Sequence, residues 1–457
     1  MSGGAESKDL LLTYYSDDFT GSTDAMEAMA SAGVLTALFL TTPTPEMLAK
    51  FPDARCIGMA GSSRGRSSEW MDAELPKVFS ILAGLGAPIL HYKVCSTFDS
   101  SPTIGSIGRA IDLGTKVMPG RWSPTIVGSP RLARYQVFGN LFAAVGGVAY
   151  RLDRHPTMSR HPVTPMGEAD LKRHLAAQTF RRIELIDLLE LCQGAAAAHL
   201  EARMGEDVPV IFIDVMDEES LAAAGRLVWE HRGAGLFSAS SSGLGYALTA
   251  YWRQIGLVPK AVSLPQAAAV PAIAVVSGSC SPVTASQIGW ARAHGFRTER
   301  MDLPSALHER TREAEIERLA GVATSALQHG ISPVIFSAEG PDDESVIRFD
   351  QLAQDAGLSR PDAARAVGAA LAEVTKRMLD RAHPGRIVIA GGDSSGEIAN
   401  ALDVQALTVA AGLTPGAPLC RTWSEDESRN GLEIVLKGGQ IGGETFFGQA
   451  RAGGVVR

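Results

Sequence analysis

Short apolar runs that end in small polar residues recur along this chain, and their order predicts a fold of alternating strands and helices. Leu10–Tyr15 is the first apolar run, and it leads through Ser16–Gly21 into a helical pattern over Ser22–Ala32. Val34–Leu40 is the next apolar run. Strand, helix and strand in this order predict a βαβ unit with parallel strands. In open sheets of this kind, ligands bind where the strands end at their carboxyl side.

The same alternation continues along the chain and predicts the remaining elements. In the first half, the predicted strands are 55–60, 89–94, 124–129 and 208–215, and the predicted helices are 104–111, one that opens at Thr164-Pro165, 182–204, 218–230 and 246–255. In the second half, the predicted strands are 272–276, 334–337, 387–390 and 432–436, and the predicted helices are 284–294, 362–382 and one that begins at Glu397.

The segment Gly256–Pro271 breaks this alternation. It holds three prolines and shows little periodicity, which is typical of a linker between domains. A chain of 457 residues is also too long for one simple core. We therefore predict two doubly wound α/β domains, over residues 1–255 and 272–457, joined by a linker over residues 256–271.

Charged residues follow two of the predicted strands in the first domain. Asp17 and Asp18 come directly after the first strand, where a helix begins, and Arg64 lies just past the strand that ends near Ala60. One aspartate is expected to cap the helix. The second exceeds what capping needs and suggests a general base or a metal ligand. Arg64 suits a carboxylate or phosphate, although a solvated loop arginine explains it equally well.

A glycine-rich turn in the second domain suggests a phosphate-binding loop. The run Ile387–Ala390 leads into Gly391–Gly396, and a helical pattern follows. Glycines let the backbone come close to a phosphate, and a helix N-terminus presents N–H groups to an anion. The serines Ser394 and Ser395 add hydroxyl donors. The pattern is neither a Walker A loop nor GxGxxG, and an ordinary βα turn is the alternative.

Two further turns in the same domain have compatible composition. Ser277–Pro282 follows a strand and precedes a helix, and Lys437–Gly443 joins a lysine to a glycine-rich loop. Three phosphate-compatible turns in one domain favour nucleotide binding more strongly than any one of them.

Composition limits the classes of partner and compartment. The net charge is −8, with 45% hydrophobic and 20% charged residues, which argues against nucleic acid or an anionic membrane as the main partner. No apolar run approaches the roughly 20 residues of a membrane span, and the N-terminus lacks the pattern of a signal peptide. Five scattered cysteines without CxxC spacing are typical of reduced thiols and not of a zinc site. We predict a cytoplasmic protein, and a homodimer is left open.

Taken together, the motifs resemble the four-carbon acid sugar kinase family over nearly the whole chain. The matching segments are SDDFTG at Ser16–Gly21, Arg64, the lysine and Ser-Thr pair at Lys93, Ser96 and Thr97, GSCS at Gly278–Ser281, GGDSSG at Gly391–Gly396, and KGGQIGG at Lys437–Gly443. The resemblance implies that the N-terminal domain binds an acid sugar, that the C-terminal domain binds ATP with Mg²⁺, and that the active site lies in the cleft between the two domains.

The resemblance also implies roles for individual residues. The implied catalytic residues are Asp17 and Asp18, and those that face the substrate are Arg64, Lys93, Ser96, Thr97 and Asp99. The residues implied to bind the nucleotide are Ser277, Gly278, Ser279, Ser281, Gly391, Gly392, Asp393, Ser394, Ser395, Gly396, Lys437, Gly438, Gly439 and Gly442.

The chain departs from the family pattern at two positions. The family usually reads Lys-x-Asp-Ser-Thr-Leu-Arg-Gly, whereas Cys95 stands here at the position of the aspartate and Asp99 at that of the arginine. One change removes a negative charge and the other replaces a cation by an anion. This favours a substrate other than a simple tetronate, such as a branched or oxidised acid sugar like 3-oxo-isoapionate.

We therefore predict an ATP-dependent kinase of carbohydrate catabolism that phosphorylates a hydroxyl of a small acid sugar. Asp17 or Asp18 would accept the proton of the attacking hydroxyl, and Arg64 and Lys93 would hold the substrate carboxylate. Two alternatives are a NAD-dependent acid-sugar dehydrogenase and a binding protein without catalysis. The absence of GxGxxG counts against the first, and the paired aspartates together with the phosphate-compatible turns count against the second.

Overall fold

Two sheets of parallel strands and one small antiparallel sheet build the first half of the chain. The structure is a computed structural model and describes residues 10–160, 163–260 and 262–454. It divides the chain into two compact units, Met1–Ser263 and Leu264–Arg457. The division falls within the segment predicted as a linker. The end of that segment packs on the second unit, since the Val270 amide donates to the Arg451 carbonyl at 2.9 Å.

The main sheet of the first unit has the strand order β11-β4-β1-β3-β2, with all strands parallel. A second parallel sheet has the order β5-β10-β9, and an antiparallel sheet the order β6-β7-β8. The strands are β1 Leu12–Ser16, β2 Thr36–Phe39, β3 Cys56–Met59, β4 Ile89–Lys93, β5 Ser123–Thr125, β6 Arg134–Val137, β7 Asn140–Val145, β8 Val148–Arg151, β9 Ile183–Ile186, β10 Val210–Ile213 and β11 Leu236–Ser240.

Helices connect these strands and cover the sheets, as parallel strands require. They are α1 Phe19–Ala30, α2 Pro45–Leu48, α3 Ser68–Gly84, α4 Ile107–Val117, α5 Leu171–Ala176, α6 Leu188–Cys192, α7 Ala196–Arg203, α8 Glu218–Glu230 and α9 Gly243–Gln254. The strands of the main sheet are buried along their whole length, which explains why their sequences read as continuous apolar runs.

The second unit arranges its strands in the order β16-β17-β18-β15-β12-β14-β13. The strands from β18 to β13 are parallel, and β16, β17 and β18 pair antiparallel. The strands are β12 Ala274–Ser277, β13 Arg297–Arg300, β14 Pro333–Phe336, β15 Arg386–Ala390, β16 Ala406–Thr414, β17 Ala417–Trp423 and β18 Glu433–Lys437. The helices are α10 Pro282–Ala293, α11 Leu303–Leu307, α12 Glu309–Gln328, α13 Glu344–Ile347, α14 Phe349–Asp355, α15 Arg360–Ala382, α16 Gly392–Ala401 and α17 Phe446–Ala452.

The two α/β units confirm the predicted fold class. In the core of the second unit, the inner strands of the sheet pack against the first and the last helix of that unit, α10 and α17. Buried Val275 of β12 and Val388 of β15 pack with Ile288 of α10 and with Phe446 and Phe447 of α17. Within the described ranges, no helix combines the length and the apolar character that crossing a bilayer takes.

Two helix predictions in the first unit were wrong. No helix opens at Thr164-Pro165, because the next helix is α5, capped by Asp170, whose carboxylate accepts from the Lys172 and Arg173 amides. The alanine-rich stretch 182–204 is not one helix. It holds β9, which pairs with β10, followed by α6 and α7. The Ile183–Ile186 run pairs with β10 as a strand, whereas the alanines that follow do form a helix, α7.

Candidate active site

The loops that carry the first group of predicted site residues meet at one edge of the main sheet. β1 and β4 are neighbours, with Ser16 opposite Lys93, so the residues that follow both strands lie side by side. The Asp17 amide donates to the Lys93 carbonyl at 2.9 Å, and the Arg64 amide donates to the Asp17 carbonyl at 3.0 Å. Three sequence segments that are far apart in the chain are therefore held together by backbone hydrogen bonds.

Arg64 binds both aspartates. Its Nη2 lies 2.7 Å from Asp17 Oδ1 and 2.8 Å from Asp18 Oδ1, and its Nε donates to Asp17 Oδ2 at 3.2 Å. This two-pronged contact fixes the orientation of the Asp17 carboxylate. The sequence predicted Arg64 as a substrate contact, and the structure shows that much of its hydrogen-bonding capacity is used within the protein.

The two aspartates differ in their surroundings. Asp18 is the N-cap of α1, since its Oδ1 accepts from the Gly21 amide at 2.9 Å and its Oδ2 from the Thr20 hydroxyl at 2.8 Å. Asp17 makes no such cap contact among the described residues and is 3% exposed. Burial raises the pKa of Asp17 to about 6, although Arg64 opposes this shift. Asp17 is therefore the carboxylate that exceeds the need for capping.

The remaining predicted substrate residues follow β4 in one loop. The Lys93 side chain is 2% exposed, and its Nζ lies 3.4 Å from Asp24 Oδ2, a partner on α1 that the sequence analysis missed. The Thr97 hydroxyl donates to Asp99 Oδ1 at 2.6 Å and lies 2.9 Å from Cys95 Sγ. Ser96 is partly exposed in the same loop.

Both positions that depart from the family pattern belong to this cluster. Cys95 and Asp99 lie close enough to Arg64 to act on it electrostatically. Burial raises the pKa of the Cys95 thiol to about 11, so the thiol is neutral near pH 7. The charge of this site is therefore set by aspartates, arginine and lysine, with Cys95 as an uncharged group among them.

In the second unit, the three glycine- and serine-rich turns also start from one sheet edge. They follow β12, β15 and β18, which are neighbours in the sheet. The Gly278 amide donates to the Ala390 carbonyl at 3.0 Å, and the Gly391 amide to the Lys437 carbonyl at 3.0 Å. The three predicted nucleotide loops are thus adjacent in space.

The loop after β12 is ordered by its own serines. Ser277 Oγ accepts from the Ser279 amide at 3.3 Å, and Ser279 Oγ accepts from the Ser281 amide at 3.2 Å. Ser281 caps α10 by accepting from the Val283 amide. A Cβ at Gly439 would lie 2.7 Å from Ser279 Oγ and 3.0 Å from Ser281 Cβ, so a side chain there would force the loop after β18 or these serines to shift.

The loop after β15 differs from its prediction in one respect. The helix begins at Gly392 and not at Glu397, so Gly392–Gly396 forms the first turns of α16. Gly391 has a φ of 120°, a conformation that favours glycine, and this allows the chain to turn directly from strand to helix. The N-terminus of α16 therefore lies at the sheet edge. The side chains of Asp393, Ser394 and Ser395 lie outside the described part of the structure.

Lys437 is the one predicted cation of the nucleotide loops, and it is fully buried. Its Nζ lies 3.1 Å from the Thr284 hydroxyl and 3.1 Å from the Gly438 carbonyl. Among the described side chains, which leave out those of residues 393–395, it has no carboxylate partner. Burial lowers its pKa to about 7. A buried ammonium without a counter-charge favours the binding of an anion beside it.

The second unit also has a cavity of about 840 Å³. It lies where β13 and β14 end, and Ala285 in the first turn of α10 contributes to its wall. The apolar side chains that line it are Met301, Leu303 and Leu352, and the charged ones include Arg300 and Asp343. Arg300 Nη1 donates to Asp343 Oδ2 at 2.6 Å, so these two charges balance each other.

Histidine, cysteine and carboxylate side chains form no cluster of three that could hold a metal within residues 10–160, 163–260 and 262–454, with the side chains of 393–395 left out. Mg²⁺ in nucleotide sites is bound mainly by the phosphates, waters and one or two carboxylates.

Comparison with known proteins covers both units. Residues 12–248 match a model described as a sugar-binding N-terminal domain, and residues 274–447 match one described as a nucleotide-binding C-terminal domain. The chain is 68% identical to 3-oxo-isoapionate kinase of Paraburkholderia graminis, across 97% of this chain and 94% of that protein. It is 29% identical to 3-oxo-tetronate kinase of Methylobacterium radiotolerans, across 96% and 98%.

Two crystal structures share the fold. One is of a Salmonella typhimurium protein, with a TM-score of 0.77 and 24% identity over 96% of this chain and 98% of that chain. The other is of a Haemophilus influenzae protein, with a TM-score of 0.69 and 22% identity over 96% and 99%. At these identities the likeness shows the fold alone.

Proposed function

This chain belongs to the family of acid sugar kinases that join a sugar-binding N-terminal domain to a nucleotide-binding C-terminal domain, and we propose that it uses ATP to phosphorylate a hydroxyl of 3-oxo-isoapionate. The observation that carries the proposal is the fully buried Lys437, which lacks a carboxylate partner among the described residues and lies beside three glycine- and serine-rich loops. The choice of substrate rests on the relative from Paraburkholderia graminis.

The nucleotide would be held by backbone groups of the second unit. In this proposal the amides of the turns that begin at Ser277, Gly391 and Gly438 bind the phosphates, and the N-terminus of α16 points at them. Lys437 neutralises part of their charge.

In the first unit, Asp17 would be the general base. Its pKa of about 6 leaves it ionised at neutral pH and still basic enough to accept a proton from the sugar hydroxyl. Arg64 orients the Asp17 carboxylate, and Asp18 secures Arg64 and the start of α1. Lys93, Ser96, Thr97 and Asp99 would line the site of the acid sugar.

Catalysis of phosphoryl transfer depends on positioning and on charge neutralisation more than on covalent chemistry. The hydroxyl oxygen of the sugar bonds to the γ-phosphorus as the bond to the leaving ADP oxygen breaks, and the hydroxyl proton passes to Asp17. Mg²⁺, when bound with ATP, supplies positive charge at the phosphate oxygens. A cytoplasmic location, with access to ATP, is part of the proposal.

The proposal is tested by incubating the purified chain with ATP, Mg²⁺ and a panel of acids: 3-oxo-isoapionate, 3-oxo-tetronate, erythronate and threonate. We expect ADP release and a phosphorylated product with the highest kcat/KM for 3-oxo-isoapionate. A preference for another acid would show that the proposed substrate is wrong, while the proposed kinase activity would stand. Binding of acids without ADP release would favour the binding-protein alternative, whereas the kinase names of the relatives leave the dehydrogenase without support.

A further inference from the structure

A second group of polar side chains in the first unit has no role in the site described above. The Ser129 hydroxyl, the Arg134 Nε and the Ser242 hydroxyl are buried and have no hydrogen-bond partner in the described part of the chain. Ser129 is 0% exposed and Ser242 is 1% exposed. Burying polar groups without partners costs stability, so three such groups in one region suggest a ligand that completes their hydrogen bonds.

These three residues lie on segments that run side by side. Ser129 and Arg134 face each other, since the amide of each donates to the carbonyl of the other at 2.8 and 3.1 Å. Ser242 begins α9, and a Cβ on the next residue, Gly243, would lie 2.2 Å from the Gly128 carbonyl oxygen. The start of α9 therefore packs directly on the residue that precedes Ser129.

The same region adjoins the loop that carries the predicted substrate residues. The Val94 amide donates to the Ser240 carbonyl at 2.9 Å, which brings Cys95 next to the end of β11. Cys95 lies near both Arg64 and Arg134. Cys95 is therefore near both the Asp17–Arg64 pair and the unpartnered group.

The two arginines differ in how their charge is balanced. Arg64 forms ion pairs with Asp17 and Asp18. Arg134 donates through Nη1 to backbone carbonyls, among them those of Leu132 at 3.1 Å and Ala144 at 3.3 Å, and among the described residues it meets no carboxylate. Burial lowers the pKa of Arg134, and the nearby Cys95 thiol is neutral near pH 7. Arg134 is thus a cation whose charge no carboxylate compensates in the described part of the chain.

We propose that Ser129, Arg134 and Ser242 form the subsite that binds the carboxylate of the acid sugar, with Arg134 as the residue that neutralises it. A carboxylate offers lone pairs that can accept from the Arg134 Nε and from two hydroxyls at once. Its binding would complete all three missing hydrogen bonds and supply the missing negative charge. The subsite rests on the proposed function, because it assigns the charged end of the substrate whose hydroxyl reaches Asp17.

The main test replaces Arg134 and compares it with a neighbouring arginine. We expect Arg134→Gln to raise KM for 3-oxo-isoapionate by more than tenfold and to change KM for ATP less than twofold. The matched control is Arg131→Gln, since Arg131 lies three residues away but pairs with Glu218 at 3.0 Å and is expected to keep the KM for the acid. Ser242→Ala removes only one hydroxyl and should raise this KM several-fold.

A second variant leaves Arg134 and its backbone contacts in place. Cys95→Asp adds a carboxylate beside Arg134 that would compete with the substrate, so we expect KM for the acid to rise by at least fivefold. This keeps the proposal testable if Arg134→Gln fails to fold, which thermal unfolding of each variant will show. Wild-type KM values in both Arg134→Gln and Cys95→Asp would overturn the subsite.

Calorimetry of the acids without ATP separates the subsite from the kinase activity. If the wild-type protein binds 3-oxo-isoapionate or 3-oxo-tetronate, and Arg134→Gln loses this binding, the subsite stands even where no phosphate is transferred. If the protein phosphorylates the acid and Arg134→Gln binds it as tightly as the wild type, the subsite is wrong and the kinase proposal stands. Binding of neither acid by the wild-type protein would overturn the subsite, whereas the kinase proposal is decided by the release of ADP.

Discussion

At the scale of single residues, the pair Asp17 and Asp18 shows how neighbours in sequence take different tasks. Asp18 uses both carboxylate oxygens on the first turn of α1, whereas Asp17 is buried against Arg64. We expect Asp17→Asn to lower kcat by about 10²–10⁴, because general base catalysis contributes about that much. Asp18→Asn should lose far less, since asparagine also caps helices. Equal losses in both variants would contradict this division of roles.

The pH dependence of the wild-type enzyme offers a second measurement on Asp17. Its pKa is raised to about 6, and only the ionised carboxylate can accept a proton. The value of kcat/KM should therefore fall as the pH drops through about 6 and level off above it. In Asp17→Asn this acid limb should disappear. A limb that persists unchanged in the variant would mean that another group titrates.

Lys437 allows a test of the nucleotide site that needs no turnover. Burial holds its pKa at about 7, so at pH 8 most of the free protein carries a neutral Lys437. Bound phosphate would favour the charged form and raise that pKa. We expect ATP binding at pH 8 to take up close to one proton, measured by calorimetry in buffers of different ionisation enthalpy. Lys437→Met should remove this uptake. Any proton exchange that remains in this variant comes from ATP itself and is subtracted.

Residue chemistry was predictable where it followed directly from position in the chain. The helix cap expected of one of the two aspartates is Asp18, because capping depends on residues within one turn. The roles of Arg134 and Asp24 were not foreseen, because their meaning depends on contacts with distant segments. The ion pair of Arg64 with both aspartates could not be predicted either, since it joins loops that follow different strands.

At the scale of elements, the loop after β18 passes so close to the loop after β12 that one methyl group should disturb it. We expect Gly439→Ala to weaken ATP binding by about tenfold, because the new Cβ would lie 2.7 Å from Ser279 Oγ. The matched control is Gly443→Ala, since a Cβ at Gly443 meets nothing within 4 Å. Calorimetry of ATP binding compares the two. Equal affinities would contradict the proposed role of this close approach.

The elements that the sequence analysis missed share an understandable cause. The antiparallel strands β6, β7 and β8 are largely exposed or half-buried, so they lack the continuous apolar runs of the main sheet. Their turns do carry a signal, since Gly139 and the pair Gly146-Gly147 have positive φ. Reading these glycines as hairpin turns would have found the sheet that carries Arg134.

At the scale of the whole molecule, the alternation of apolar runs and helical patterns was enough to predict two α/β units. Parallel strands are buried on both faces, so their sequences are continuous apolar runs that can be recognised directly. The order of the strands in the sheet could not be predicted in this way. In the second unit β12 lies between β15 and β14, and no pattern within a single strand encodes which neighbour it pairs with. The prediction that ligands bind at the carboxyl edges needed no strand order, because all parallel strands of a sheet end on the same side.

The buried Lys437 should also make the stability of the folded protein depend on the ATP concentration. Between pH 7 and the ordinary lysine pKa, the unfolded chain holds a proton that the folded chain gives up at Lys437, so the empty protein loses stability as the pH falls towards 7. A ligand that binds only the folded state raises the free energy of unfolding, by about 2.7 kcal/mol when its concentration is 100 times its Kd. We expect ATP to raise Tm by several degrees in wild-type protein and less in Lys437→Met, whose empty form should itself melt higher. At low ATP concentration the empty protein should therefore unfold more readily and be cleaved faster by a protease than the ATP-bound protein.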